Sequence, residues 1–342
     1  MRFNSERLSN FELLRLLSMF LIVFYHLLLW FVHDNPGYEW VRALWIPLHV
    51  GVVCFVLISG YFRIRPSLRG LLVLLSVLLV YSLPGIVYGI RNADSVYDIL
   101  HSLMFVSHSE FWFVKTYLAL YLVSPLLNSF FDHVSLRGQW YLLCVFALIS
   151  VYYGHFAKDA VYSLGKNLVN FMLIYQVGHM LKEYSTKWKT WRMNRIVSIY
   201  LLLNVVIVTL FLMTRTNAMG KVIWKLCFPY NAPILILNAV LLFVLFGKME
   251  FRSRPVNRLA EHCFPIYLIH ALPLLVATVE RPLVNGVFHL TGERILVTIP
   301  LLFILACVIF FGCVFIDSLF HPFWRWIDRQ GARLQDRIGL SY

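Results

Sequence analysis

The chain has 342 residues, of which 60% are hydrophobic and only 14% charged, and its mean hydropathy is +0.73. That balance excludes an ordinary soluble domain and predicts a polytopic protein whose first partner is the lipid bilayer. A net charge of +13 would suit a nucleic-acid binder, but the basic residues are scattered through short loops without a contiguous arm, so no nucleic-acid partner is expected and topology accounts for them.

Apolar runs set against charged or turn-rich breaks predict ten spans, at about 11–31, 45–62, 70–90, 111–130, 140–154, 168–181, 196–213, 233–247, 264–279 and 295–316. The first run is followed by no small-residue cleavage site and reads as a retained span. With the N-terminus cytoplasmic, the inner segments 1–10, 63–69, 131–139, 182–195, 248–263 and 317–342 hold 19 of the 30 lysines and arginines, which predicts both termini inside. The expected fold is an all-α polytopic membrane protein of about ten transmembrane helices. Its expected domains are a membrane domain over 1–316 and a basic amphipathic cytoplasmic tail over 317–342. The outer pieces 91–110 and 214–232 read as modest loops, Cys227 lying in the second. Trp30, Trp40, Trp45, Trp140 and Trp224 near span ends read as an interfacial belt. The six cysteines show no paired spacing, so neither a disulfide framework nor a metal site is expected.

The first span, FELLRLLSMFLIVFYHLLLWF, carries Glu12, Arg15 and His26. Ionisable groups at membrane depth are costly and commonly line a protein interior or water-filled path. Eleven residues at about 100° each bring Arg15 and His26 to within about 20° of one helix face, ~16 Å apart along the axis. Neutral imidazole, with an unperturbed pKa near 6.5, can take a proton from a hydroxyl, and a guanidinium can grip phosphate. Two readings of each stay open: His26 as a base or as a histidine hydrogen-bonded within a bundle, and Arg15 as an anion holder or as the i,i+3 partner of Glu12.

An Arg, ten residues, then a His in the first helix resembles the acyltransferase 3 family. Three further stretches resemble it in the same order. They are GVVCFVLISGYF, ending Ser59-Gly60-Tyr61-Phe62; FWFVKTYLALYLVSPLLN, with Trp112-Phe113 and Ser124-Pro125; and FPIYLIH, with Tyr267 and His270. The resemblance implies transfer of an acyl group, most often acetyl, from cytoplasmic acyl-CoA to a hydroxyl of an extracytoplasmic polysaccharide or lipid-linked saccharide, at a bacterial cytoplasmic membrane. It implies His26 as base or transient acyl carrier and Arg15 as a donor-holding catalytic residue. Arg63 and Arg65 would bind the donor acetyl-CoA, or serve only as positive-inside residues.

Glu110, Trp112, Lys115, Tyr267 and His270 are the expected acceptor-side residues, with an interfacial pair (Glu110, Lys115) and a core histidine (His270) as the plainer alternatives. Where the family often has histidine before the Trp-Phe pair, this chain has Glu110, with His108 further back. Tyr61, Tyr267 and Asn128 are loose oxyanion-donor candidates, and Glu261 and His262 fall near the inner face. Unlike some relatives, the sequence carries no C-terminal esterase-like domain after the spans. Two rival functions stand beside this one: a glycan or small-molecule transporter or flippase, against which no internal repeat is visible, and a succinyl-type transferase of the same fold.

Overall fold

The computed structural model describes residues 8–92, 95–104, 111–157, 161 and 164–338, and among these it is helical with no strand. The principal helices are α1 Ser9–Asp34, α2 Val50–Phe62, α3 Leu68–Arg91, α4 Val96–Leu103, α5 Trp112–His133, α6 Leu136–Val151 and α7 Leu168–Glu183. They continue as α8 Met193–Thr214, α9 Ala218–Cys227, α10 Pro233–Gly247, α11 Arg254–Ala260, α12 Cys263–His270, α13 Arg281–Leu290 and α14 Ile295–Ile338. Five stretches among the described residues are long and apolar enough to cross a membrane: Ser9–Asp34, Pro36–Phe62, Leu68–Arg91, Met193–Thr214 and Ile295–Ile338. The bent pair Arg254–His270 and Pro273–Leu290 is either a broken sixth span or a re-entrant loop.

That pair corrects the expected straight span at 264–279. The chain bends by 68° at the break. Pro273 has no N–H to donate and disfavours helical geometry at Leu272, so the helix stops at His270. The expected loop 214–232 also contains a helix, α9, capped by Asn217, whose side chain accepts from Gly220 N at 3.2 Å. Cys227 is therefore not in a loop but at the end of α9, and buried. Trp45 is not interfacial either. It is only 4% exposed, with its ring against Tyr25, Trp224 and Phe228.

The described residues divide into two compact units. The first holds residues 8–64 and 116–257, the second residues 65–115 and 258–338. In the first, α2 and α7 cross with their backbones in contact, because glycine stands at both closest points. A Cβ on Gly60 would lie 1.9 Å from the Tyr175 carbonyl oxygen, and one on Gly178 2.3 Å from that of Leu57. Small residues permit this approach between apolar helices, where dispersion and not water exclusion drives packing. Elsewhere in the unit α1 is tied to α10 by Asn10 Nδ2, donating to Phe246 O at 3.0 Å, and α8 to α10 by the reciprocal amides of Asn204 and Asn238 at 2.8 and 2.9 Å.

In the second unit α14 is one helix of 44 residues. At 1.5 Å per residue it is about 66 Å long, more than twice a hydrocarbon core of ~30 Å. It runs without a break through residues 316 and 317. Its C-terminal part is fastened to the start of α3: Arg69 forks onto Asp328, and the Arg69 N–H donates to Gln335 Oε1 at 3.2 Å.

Candidate active site

Helix α1 is unbroken from Ser9 to Asp34, so the 11-residue interval from Arg15 to His26 is a true helical interval and the two share a face. Arg15 is partly exposed, its side chain at 32%, and its Nη1 donates to Glu12 Oε1 at 2.7 Å. The contact uses one terminal nitrogen of the guanidinium and leaves the Nη2 edge for another acceptor. Across from α1, Ser59 Oγ on α2 donates to its own Phe55 O at 2.9 Å and lies 3.1 Å from Tyr117 Oη on α5. Glu12 with Arg15, and Ser59 with Tyr117, are thus two polar pairs inside an apolar unit.

His26 is half-buried, further along α1, with its ring 5.3 Å from that of Tyr25. Tyr25 leads into an aromatic cluster: its ring is 4.8 Å from His49 and 5.5 Å from Trp45, and His49 stacks on Phe228 at 4.2 Å and 16°. The buried His49 is fixed through Nδ1 on Phe228 O at 2.8 Å.

The turn after α2 is held by a clasp that no local sequence pattern announces. Tyr175 Oη accepts from Ile64 N at 2.9 Å and donates to Asn128 Oδ1 at 2.8 Å, while Asn128 Nδ2 donates to Ile64 O at 2.8 Å. Both backbone groups of Ile64 are satisfied by side chains. Arg63, just before it, is forced to a φ of +57°, a left-handed conformation uncommon for a side chain of this size. Arg63 Nη1 donates to Asp132 Oδ1 at 2.5 Å, and this guanidinium holds the Asp132 carboxyl below the usual carboxylate range. Asn128 is thereby engaged at both ends of its amide in holding the turn, with one of its two Nδ2 N–H donors used. Tyr61 packs among Phe11, Phe62 and Phe243, with Lys182 Nζ 4.9 Å from its ring. Arg65 is exposed at the start of the second unit.

The remaining expected residues belong to the second unit. Trp112 and Lys115 are half-buried on the first turns of α5. Tyr267 packs against Phe111 and Phe113, its ring 6.3 and 5.7 Å away, and is 6.0 Å from the His270 ring. His270 is 1% exposed, and its Nδ1 meets Ile266 O of its own helix at 2.6 Å, the geometry of a core histidine. Glu110 and His108 lie outside the described residues.

Sequence reasoning missed Tyr117, Asp132, Tyr175 and His49. Tyr117 lies within the stretch FWFVKTY and is found only by folding α5 beside α2. Asp132 is 69 residues from Arg63. His179 was missed as well: 1% exposed, it stacks on Phe131 at 4.2 Å and 9°, and neither ring nitrogen has a hydrogen-bond partner among the described residues.

A family model described as an acyltransferase domain matches residues 8–318, which takes in Arg15, His26, the Ser59-Gly60-Tyr61-Phe62 ending, Trp112 and the Tyr267 segment. No curated protein and no solved structure matches the chain.

Proposed function

The chain belongs to the acyltransferase 3 family and is a membrane acyltransferase, and from that premise we propose that it moves an acyl group, in the first instance acetyl, from cytoplasmic acyl-CoA to a hydroxyl of an extracytoplasmic polysaccharide or its lipid-linked precursor. The membrane in question is the bacterial cytoplasmic membrane. One observation carries the reading: an unbroken helix bears Arg15 and His26 on one face, with Arg15 engaged through a single nitrogen.

In this reading His26 takes the proton of the acceptor hydroxyl, whose oxygen attacks the thioester carbonyl. The C–S bond breaks, and the imidazolium returns its proton to the departing thiolate, so the residue ends as it began. Arg15 uses its remaining nitrogens on an anionic group of the donor. Arg63 and Arg65, at a turn held open by the Tyr175–Asn128 clasp, take the phosphates. Acyl-CoA fits these residues on one structural ground. Among the described residues both Arg15 and Arg63 contact their carboxylates through Nη1, which leaves other guanidinium nitrogens to meet phosphate oxygens. Trp112, Lys115, Tyr267 and His270 are proposed for the acceptor side, His270 as a packing residue there.

The test supplies membrane vesicles with labelled acetyl-CoA on the cytoplasmic side and compares wild type with His26→Ala at matched protein levels. Loss of a general base predicts a fall of about 10²–10⁴-fold in label reaching a luminal or lipid-linked glycan. Transfer by His26→Ala at the wild-type rate refutes the role given to His26. No transfer by wild type, with acetyl and succinyl donors and the glycan present, refutes the reaction.

A further inference from the structure

The second unit encloses a cavity of about 340 Å³ that the reaction above does not use. Its size lies at the lower end of the range for small-molecule sites, ~300–1,000 Å³. One side is apolar, from Val73 and Val77 of α3, Pro265 of α12 and Trp324 of α14. The other carries His321, Arg325 and Arg329 on successive turns of α14, with His262 and Glu261 from the α11–α12 junction.

The polar wall is built and not incidental. Asp317, 3% exposed, gathers three donors: Tyr81 Oη at 2.5 Å, Trp324 Nε1 at 2.9 Å and His262 Nδ1 at 2.5 Å. This hub fixes the Trp324 ring through its N–H. It also fixes the imidazole of His262 through Nδ1, so Nε2 is the ring nitrogen available to the cavity. Asp328, the other aspartate in the wall, is engaged by the Arg69 fork. An apolar wall faces two guanidiniums one helical turn apart, with an oriented imidazole beside them. A phosphate ester presents two or three non-bridging oxygens to such a set, and the arginine fork matches phosphate geometry.

We propose that this cavity is a binding site for a phosphate ester that carries an apolar or aromatic portion, its phosphate held by Arg325, Arg329 and His262 and its apolar part laid against Val73, Val77 and Trp324. The chemistry is shared by the nucleotide end of a coenzyme and the head of an anionic glycerophospholipid. Glu261 opposes an anion, so its neutralisation strengthens binding. None of these residues is assigned to the acyl-transfer reaction, and a nucleotide held at the Arg63 donor site is told apart from one held here because Arg325→Gln with Arg329→Gln leave it bound.

The experiment uses the full chain in maltoside detergent, which carries no phosphate, and titrates 3′,5′-ADP and, separately, a short-chain phosphatidylglycerol by calorimetry. At least one probe binds, inorganic phosphate in excess competes with it, and Arg325→Gln with Arg329→Gln together weaken it tenfold or more. Val73→Phe fills the apolar side without touching a charge and has the same effect, while Glu261→Gln tightens binding two- to threefold. His26→Ala leaves binding unchanged, so failure of acyl transfer is not confused with failure of this site. Binding of the nucleotide alone identifies a coenzyme-type ligand, and binding of the lipid alone a headgroup. Absence of binding by either probe, or equal binding by wild type and both variants, overturns the proposal.

Discussion

Asp317 in the second unit and Arg15 in the first hold their charges in opposite ways. In the second, Asp317 is a buried carboxylate with Tyr81, Trp324 and His262 converging on it, so its oxygens are committed to the fold. In the first, Arg15 is a guanidinium with five N–H donors, and its hydrogen bond among the described residues goes to Glu12 within its own helix. A group saturated by donors from elsewhere in its unit is a structural tie, and to break it leaves the rest of the network unsatisfied. A charge held by one local contact keeps capacity for a ligand, and its removal together with that contact's partner takes little from the fold. The comparison therefore separates stability from activity, and substitutions at the two places should fall on opposite sides of that line.

The largest effect is expected at the tie. Asp317→Ala strands a tyrosine hydroxyl, an indole N–H and an imidazole together, and removal of one member of a buried charged network costs about 3–5 kcal/mol. The thermal midpoint in detergent should drop sharply, with transfer per folded molecule preserved. A wild-type midpoint for this variant would remove the contrast. Arg15→Gln made together with Glu12→Gln, so that no buried carboxylate is left without its counter-charge, is the opposite case. A hydrogen bond to a charged group contributes about 1.5–3 kcal/mol, so kcat/KM for the acyl donor should fall roughly 10- to 100-fold with the midpoint within a degree or two of wild type. If the midpoint falls with the activity, the Glu12 pair is structural and Arg15 belongs with Asp317.

The same distinction explains what could be read from the sequence. The helical class, the apolar stretches and the Arg15–His26 interval were legible because they depend on local periodicity and on residue types that are expensive at membrane depth. The Asp317 hub was not. Its donors at positions 81, 262 and 324 come from three separate stretches, and only the packing of α3, α12 and α14 identifies them as partners. The clasp on Ile64 was equally hidden, since Asn128 and Tyr175 are 64 and 111 residues away, and so Asn128 read only as a candidate for chemistry. The break after His270 was visible in Pro273, yet an apolar run on both sides of a proline reads as one span until the 68° bend is seen.

A smaller effect sharpens the comparison within the first unit. Tyr117 and Ser59 form a hydroxyl pair between α5 and α2. Tyr117→Phe keeps the ring and deletes one neutral hydrogen bond, worth about 1 kcal/mol net. If the pair helps to aim the guanidinium, kcat/KM for the donor should fall about fivefold, and the joint Glu12→Gln and Arg15→Gln change combined with Tyr117→Phe should lose less than the two effects summed. Full additivity would make the tyrosine an independent packing residue.

The mildest expectation concerns Asp132, because it is the partner a donor phosphate would have to displace. Its carboxylate is 54% exposed and Arg63 28%, so solvent and salt screen the pair and little stability is at stake. The Asp132 pKa is depressed by Arg63. The pair's contribution is thus complete above the ordinary carboxylate pKa and is lost only as the pH falls through the lower folded value, so it is fully formed near neutrality. Asp132→Asn removes the competing charge while it leaves Arg63 in its clasped, left-handed turn. If Arg63 serves the donor, KM for acyl-CoA should fall two- to threefold with kcat unchanged, and the gain should shrink as ionic strength rises. A rise in KM would mean that Asp132 aims the guanidinium and does not compete for it. An unchanged KM at low salt would take Arg63 out of the donor site, and the turn after α2 would then join Asp317 among the ties of the fold.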